Sequence, residues 1–119
     1  MSGLIRAIPD TLSALDRGLA YGDGVFETIA VRKNVPCFWG EHLERLRQGC
    51  DRLGIPFPDA RLLEQEAGTL CAASEGRDAV LKIIVTRGQG GRGYRGPEVP
   101  QPWHGLSLYH APQYPVSYY

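Results

Sequence analysis

The stretch Gly54-Ile55-Pro56-Phe57-Pro58 decides more about this chain's fold than any other feature, because two amphipathic segments meet there and neither can run through it. Upstream, Leu43, Leu46, Cys50 and Leu53 recur at i, i+3, i+7 and i+10, the single apolar stripe of a helix over Gly40–Leu53. Gly54 suits the left-handed residue that closes a helix, and Ile55 is placed for the hydrophobic contact that accompanies such a stop. Pro56 and Pro58 forbid continuation, since proline has no amide hydrogen and its ring clashes with the preceding turn. Downstream, Asp59 can cap a second helix from Ala60 to about Ala73, with Leu62, Leu63, Ala67, Leu70 and Cys71 as its buried face.

The remaining regular segments have the period of strands. Leu4–Ile8 is short and ends at Pro9-Asp10; Leu12–Tyr21 is irregular, and Gly22-Asp23-Gly24 is a break. Val25–Arg32 alternates, with Phe26, Thr28 and Ala30 on one face and Val25, Glu27, Ile29 and Val31 on the other. Lys33-Asn34 reads as a hairpin turn, and Val35–Trp39 as its return strand, where Pro36 favours an edge or strand-start position. Ala79–Thr86 is a dense apolar strand interrupted by Lys82, Arg87–Gly96 is a Gly/Arg loop, and Trp103–His110 is a last strand with Leu106 and Leu108 on one side. Pro112–Tyr119 has linker character. The order strand, strand, strand, helix, helix, strand, strand predicts an α+β domain: a largely antiparallel sheet with two helices on one face.

Composition narrows the functional classes. The length of 119 residues suits one domain. Thirteen Lys+Arg against thirteen Asp+Glu give no net charge, which argues against nucleic acid or a membrane surface held by bulk electrostatics. No apolar run approaches the roughly 20 residues needed to cross a bilayer, and the first ten residues do not read as a secretory signal. Cys37, Cys50 and Cys71 are odd in number and widely spaced, so reduced thiols and a cytoplasmic location are expected. His42, His104 and His110 have no metal-ligand spacing, and no metal is assigned. Lys33 and Lys82 are the only lysines, so chemistry needing an amine has few candidates here.

Three features could carry chemistry. Gly88-Gln89-Gly90-Gly91-Arg92-Gly93 satisfies G-x-G-x-x-G, but Tyr94-Arg95-Gly96-Pro97 cannot open the helix that a dinucleotide site requires. An RNA-binding Gly/Arg tract is poorly supported by one copy in a neutral chain. A glycine-rich turn and an anion-binding loop remain, the latter using Arg87, Arg92 and Arg95 as bidentate donors and the Tyr94 hydroxyl. Arg45 shares a helix face with His42, Gly49 and Arg52, away from the leucine stripe; it is either a solvated arginine or a phosphate ligand. Lys82 is either an interior base or a snorkelling, ion-paired residue.

The run from Asp16 to Thr28, DRGLAYGDGVFET, closely resembles the start of class IV aminotransferase-like proteins, the fold-type IV pyridoxal-phosphate enzymes. His42-Leu43-Glu44-Arg45-Leu46 falls at the expected distance, and the run from Leu81 to Tyr94 looks most like the 4-amino-4-deoxychorismate lyase branch. The resemblance covers nearly the whole chain and corresponds to the family's small N-terminal domain, residues 1–111, with 112–119 beginning the inter-domain linker. It implies pyridoxal 5′-phosphate as cofactor, with Arg45 contacting its phosphate and Phe26 beside it. It implies Arg92 and Tyr94 at the substrate carboxylate and Tyr21 near the active site, in some members reaching across a homodimer. The implied reaction removes pyruvate from 4-amino-4-deoxychorismate to give 4-aminobenzoate for folate biosynthesis. Transamination of D-amino or branched-chain substrates, or a non-catalytic anion-binding role, are the alternatives. The cofactor-bearing lysine and the glutamate that pairs with the pyridine nitrogen belong to the family's second domain, so no catalytic residue is expected among these 119. Lys82 matches a strand lysine of the lyase branch instead.

Overall fold

A computed structural model describes residues 4–9, 22–88 and 102–111. The elements follow the predicted order: β1 (Leu4–Ile8), β2 (Gly24–Arg32), β3 (Val35–Pro36), α1 (Trp39–Leu53), α2 (Ala60–Ala72), β4 (Ala79–Thr86) and β5 (Trp103–His110). Lys33 and Asn34 both take positive φ, 51° and 65°, as a two-residue hairpin turn requires if it is to match the twist of its strands. The return strand is shorter than predicted. Phe38 enters the left-handed region at φ 55°, and its carbonyl already accepts from the His42 amide at 3.0 Å, so Val35–Trp39 yields only the two residues of β3 before α1 winds up.

Both helix boundaries at the Gly-Pro stretch are made as the residues dictate. Gly54 sits at φ 68°, its amide donates to Asp51 O at 3.2 Å, and the Ile55 amide donates to Cys50 O at 2.9 Å. That pair of bonds satisfies the last carbonyls of α1, while the Ile55 side chain is buried under the turn. Asp59 Oδ1 accepts from the Arg61 amide at 2.9 Å and caps α2. The Arg47 guanidinium lies 4.2 Å from the Phe57 ring centroid and covers the linking residues.

The strands form one sheet in the order β1-β5-β4-β2-β3, with every neighbouring pair antiparallel. Register sets Ile29 beside Leu81 and Leu81 beside Leu108, and sets Glu27 beside Ile83 and Ile83 beside Leu106. Alternation therefore gathers Ile29, Val31, Leu81, Ile83, Val85, Leu106 and Leu108 on one face, where they pack with Leu46 and Cys50 of α1 and with Leu63, Ala67, Leu70 and Cys71 of α2. Phe26, Thr28, Lys82 and Ser107 fall on the other face and are exposed or half-buried. Two expected core residues lie outside the core. Leu62 is 42% exposed because it sits at the rim of the α2 stripe, and Leu53 is 39% exposed because the chain turns away at Gly54. Side-chain ties close the assembly: Ser74 Oγ and the Gly76 amide both donate to Asn34 Oδ1 at 2.8 Å, and His104 Nε2 lies 2.7 Å from Glu66 Oε1.

The thiols differ in kind. Cys37 is half-buried, whereas Cys50 and Cys71 are buried. Burial pushes the Cys71 thiol from an ordinary 9.0 up to about 11. The Cys50 thiol is raised by burial first and by the Asp51 charge second, against an opposing Arg47. Only Cys37 is expected to react with a thiol-specific reagent at pH 8 in the native chain, with the other two released on unfolding in urea. Above pH 9 the unfolded chain ionises Cys71 while the fold keeps its proton. Stability should therefore decline between about pH 9 and 11, at up to about 1.4 kcal/mol per pH unit from this thiol. A Cys71→Ala variant followed by urea titration over the same range should show a shallower decline.

Candidate functional site

The site is built where α1 crosses β2. Gly49 makes the crossing close: a Cβ there would stand 2.9 Å from Val25 Cγ1, so the absence of a side chain lets the helix backbone settle on the strand. One and two turns earlier, Arg45 and His42 hang over Glu27, which alternation places on the core side of β2 beside Ile83. Glu27 is only 10% exposed, and its Oε1 lies 2.7 Å from His42 Nδ1, 3.2 Å from Arg45 Nε and 3.1 Å from Arg45 Nη2. The face that carries His42 and Gly49 is thus not the solvated side of α1; it is the flank seated on β2. The Arg45 side chain itself is 69% exposed, so one edge of its guanidinium reaches solvent while Glu27 holds the Nε–Nη2 edge.

Beside this pair lies a groove of about 430 Å³, lined by Gly24, Phe26, Glu27, Arg45, Gln48 and Arg52 among others. β3 pairs only with Val31 and Arg32, and the Cys37 amide donates to Ala30 O at 2.8 Å, so the groove lies along the earlier part of β2, Gly24 to Glu27. Phe26 and Arg45 flank that stretch from opposite faces of the sheet. Phe26 is 62% exposed, with Lys82 Nζ 5.0 Å from its ring centroid. Lys82 therefore belongs to the open sheet face and does not line the groove.

A second constellation lies at the end of β4. Arg87 Nε donates to Asp23 Oδ2 at 2.7 Å, Nη1 donates to Gly54 O at 3.4 Å, and Nη2 donates to Leu53 O. The backbone joins in, with the Arg87 amide donating to Asp23 O at 3.1 Å. Arg87 is thereby committed to the fold. It caps the carbonyls at the end of α1 and clasps Asp23, the residue just ahead of β2, and it is not the loop anion ligand that sequence reading offered. The clasp joins the roots of two segments. Asp23 follows the stretch that carries Tyr21, and Gly88, whose amide donates to Thr86 Oγ1 at 3.1 Å, precedes the stretch that carries Arg92 and Tyr94. Tyr21, Arg92 and Tyr94 themselves lie outside the described residues.

Residues 24–118 match the family described as amino-transferase class IV. The chain belongs to the class IV aminotransferase family. Within it, the chain is 35% identical over 115 residues to the aminodeoxychorismate lyase of Vibrio harveyi, covering 96% of this chain and 42% of that protein. It is 50% identical to the 4-amino-4-deoxychorismate lyase of Pseudomonas aeruginosa, whose crystal structure superposes with a TM-score of 0.76 over 88% of this chain and 38% of that one. A hypothetical aminotransferase from Mycobacterium tuberculosis, in its pyridoxal-phosphate-bound form, superposes with a TM-score of 0.74 at 28% identity, over 86% of this chain and 34% of that one. The chain spans about two fifths of the length of the lyases it matches.

The class IV donor set can be tested against a phosphate ester on this geometry. Nε–H and one Nη2 hydrogen of Arg45 are used by Glu27, which leaves Nη1 and the second Nη2 hydrogen as a planar fork toward solvent. A fork of this kind, with Phe26 across the strand edge in the same groove, fits the phosphate end of a flat phosphorylated ring. An amine for the carbonyl carbon of such a ring is not in the groove: Lys82 stands on the far sheet face and Lys33 is at the β2–β3 turn. Among the described residues, no group of three or more His, Cys, Asp or Glu side chains could hold a metal ion, and no helix is long and apolar enough to cross a membrane. Sequence reading passed over Glu27 and His42. The signal for Glu27 was present, as one carboxylate among Val25, Ile29 and Val31 on the face of β2 that turns to the core.

Proposed function

We propose that residues 1–111 form the small domain of a pyridoxal-phosphate-dependent 4-amino-4-deoxychorismate lyase, with 112–119 leading into a linker. In this reading the complete enzyme is a cytoplasmic homodimer that supplies 4-aminobenzoate for folate biosynthesis. The 50% identity to the Pseudomonas aeruginosa lyase carries the reading, and the Arg45 fork at the β2–α1 groove supplies the chemistry it needs. When bound, the cofactor supplies an electron sink for carbanionic charge. The part played by this chain is to bind and orient. Arg45 holds the phosphate, Glu27 holds Arg45, and Phe26 gives the groove an apolar wall against water. Arg92, Tyr94 and Tyr21 are assigned to the substrate carboxylate. The lysine that carries the cofactor is assigned to a second domain, so the 119 residues alone bind without catalysing.

The test is pyruvate release from 4-amino-4-deoxychorismate by the polypeptide that joins this domain to a lysine-bearing one. Release of pyruvate with formation of 4-aminobenzoate is the expected result. Transfer of the amino group without pyruvate release would favour an aminotransferase, the reading to which the likeness to the Mycobacterium tuberculosis enzyme points. Borohydride treatment of the isolated chain with pyridoxal 5′-phosphate should fix no stoichiometric adduct on Lys82.

A further inference from the structure

We propose that His42 is a positioning residue that sets the strength of the Arg45 anion clamp by acting on Glu27. The inference rests on the reading of Arg45 as a phosphate ligand and adds to it the residue that tunes it. One carboxylate oxygen, Glu27 Oε1, serves three donors: His42 Nδ1 at 2.7 Å and two nitrogens of Arg45 at 3.1 and 3.2 Å. The spacing of 42 and 45 on α1 brings both side chains over the same strand residue. Glu27 is 10% exposed and His42 18%, while Arg45 is 69% exposed. The two shielded members are thus the frame, and the exposed one is the working part.

His42 does two things to Arg45 without touching an anion. By donating to Oε1 it pins the Glu27 carboxylate, so the guanidinium is oriented before a ligand arrives and loses less freedom on binding. It also occupies the oxygen that Arg45 shares. A carboxylate released from His42 is free to shift, and because it holds the Nε–Nη2 edge of the guanidinium, its shift turns the remaining Nη1–Nη2 fork out of line with an incoming phosphate. Both effects have one sign: removing the His42 donor weakens anion binding at Arg45.

The measurement is a titration of the ¹⁵N-labelled chain with inorganic phosphate, read at the Arg45 Nε–H signal and at the Gly24 and Gly49 amides. His42→Phe should raise the dissociation constant about fivefold, the worth of one hydrogen bond. His42→Gln, which returns a side-chain N–H donor, should recover it to within about twofold. In an Arg45→Ala background the His42→Phe change should have no effect on whatever phosphate shift remains. If His42→Phe perturbs the fold, seen as loss of amide dispersion, His42→Ala carries the same comparison. An unchanged dissociation constant in the His42 variant, or an equal weakening with Arg45 absent, overturns the positioning role while the clamp stands. Failure of phosphate to move the Arg45 signal in the unaltered chain overturns the clamp itself, and this inference with it.

Discussion

Arg87→Ala is expected to destabilise the fold by about 3 kcal/mol, read as a lower urea midpoint at unchanged slope. The substitution removes one half of an ion pair in which the Arg87 and Asp23 side chains are 16% and 14% exposed. The Asp23 carboxylate then loses the Nε–H donor 2.7 Å away in a shielded position, which costs more than the pair gained in forming. Two carbonyls at the end of α1, those of Leu53 and Gly54, lose their donors in the same step. Arg87→Lys should recover only part of the loss, since an ammonium cannot reach a carboxylate and two carbonyls in one plane. The consequence for function is local as well. Arg87 ties the roots of the stretches that carry Tyr21 and Arg92, so amide exchange at Asp23 and Gly88 should speed up more than exchange in β4. A variant with an unaltered midpoint would show that the clasp is not a stabilising element.

Arg45→Ala divides stability from binding in the opposite way. Its side chain is 69% exposed, unlike that of Arg87, so the urea midpoint should fall less than for Arg87→Ala even though Glu27 is only 10% exposed. His42 remains to satisfy the buried Glu27 oxygen. Affinity for pyridoxal 5′-phosphate, measured by equilibrium dialysis with the two-domain polypeptide, should fall roughly 10- to 100-fold, the worth of a charge-assisted hydrogen bond. Arg45→Lys should fall in between, retaining the charge and losing the fork. Undiminished affinity in the alanine variant would remove Arg45 from the site and leave the groove without its anion ligand.

The local elements were legible because each rests on short-range chemistry. Asp59 caps α2, Gly54 and Ile55 stop α1, Lys33 and Asn34 turn the hairpin, and the alternation in β2 and β4 sorts core from surface. The departures lie where the local pattern did not set the outcome. Phe38 takes a left-handed conformation that cuts the return strand to Val35–Pro36, and Leu62 falls at the rim of its helix stripe. The candidate site divides along the same line. Arg45 and Phe26 were named from a motif, but periodicity counted the face bearing His42 and Gly49 as the side away from the core.

What the chain's order of residues determined by itself is therefore the set of elements, the family, and the identity of the exposed arginine. What only the tertiary structure decided is the sheet order β1-β5-β4-β2-β3, the partnership of Glu27 with residues fifteen and eighteen positions away, and the commitment of Arg87 to α1 and Asp23. The reason is physical. Caps, turns and periodicity depend on bonds spanning a few residues, whereas the direction a charged side chain such as Arg45 takes is set by which distant carboxylate the packing of α1 on β2 brings within hydrogen-bond reach.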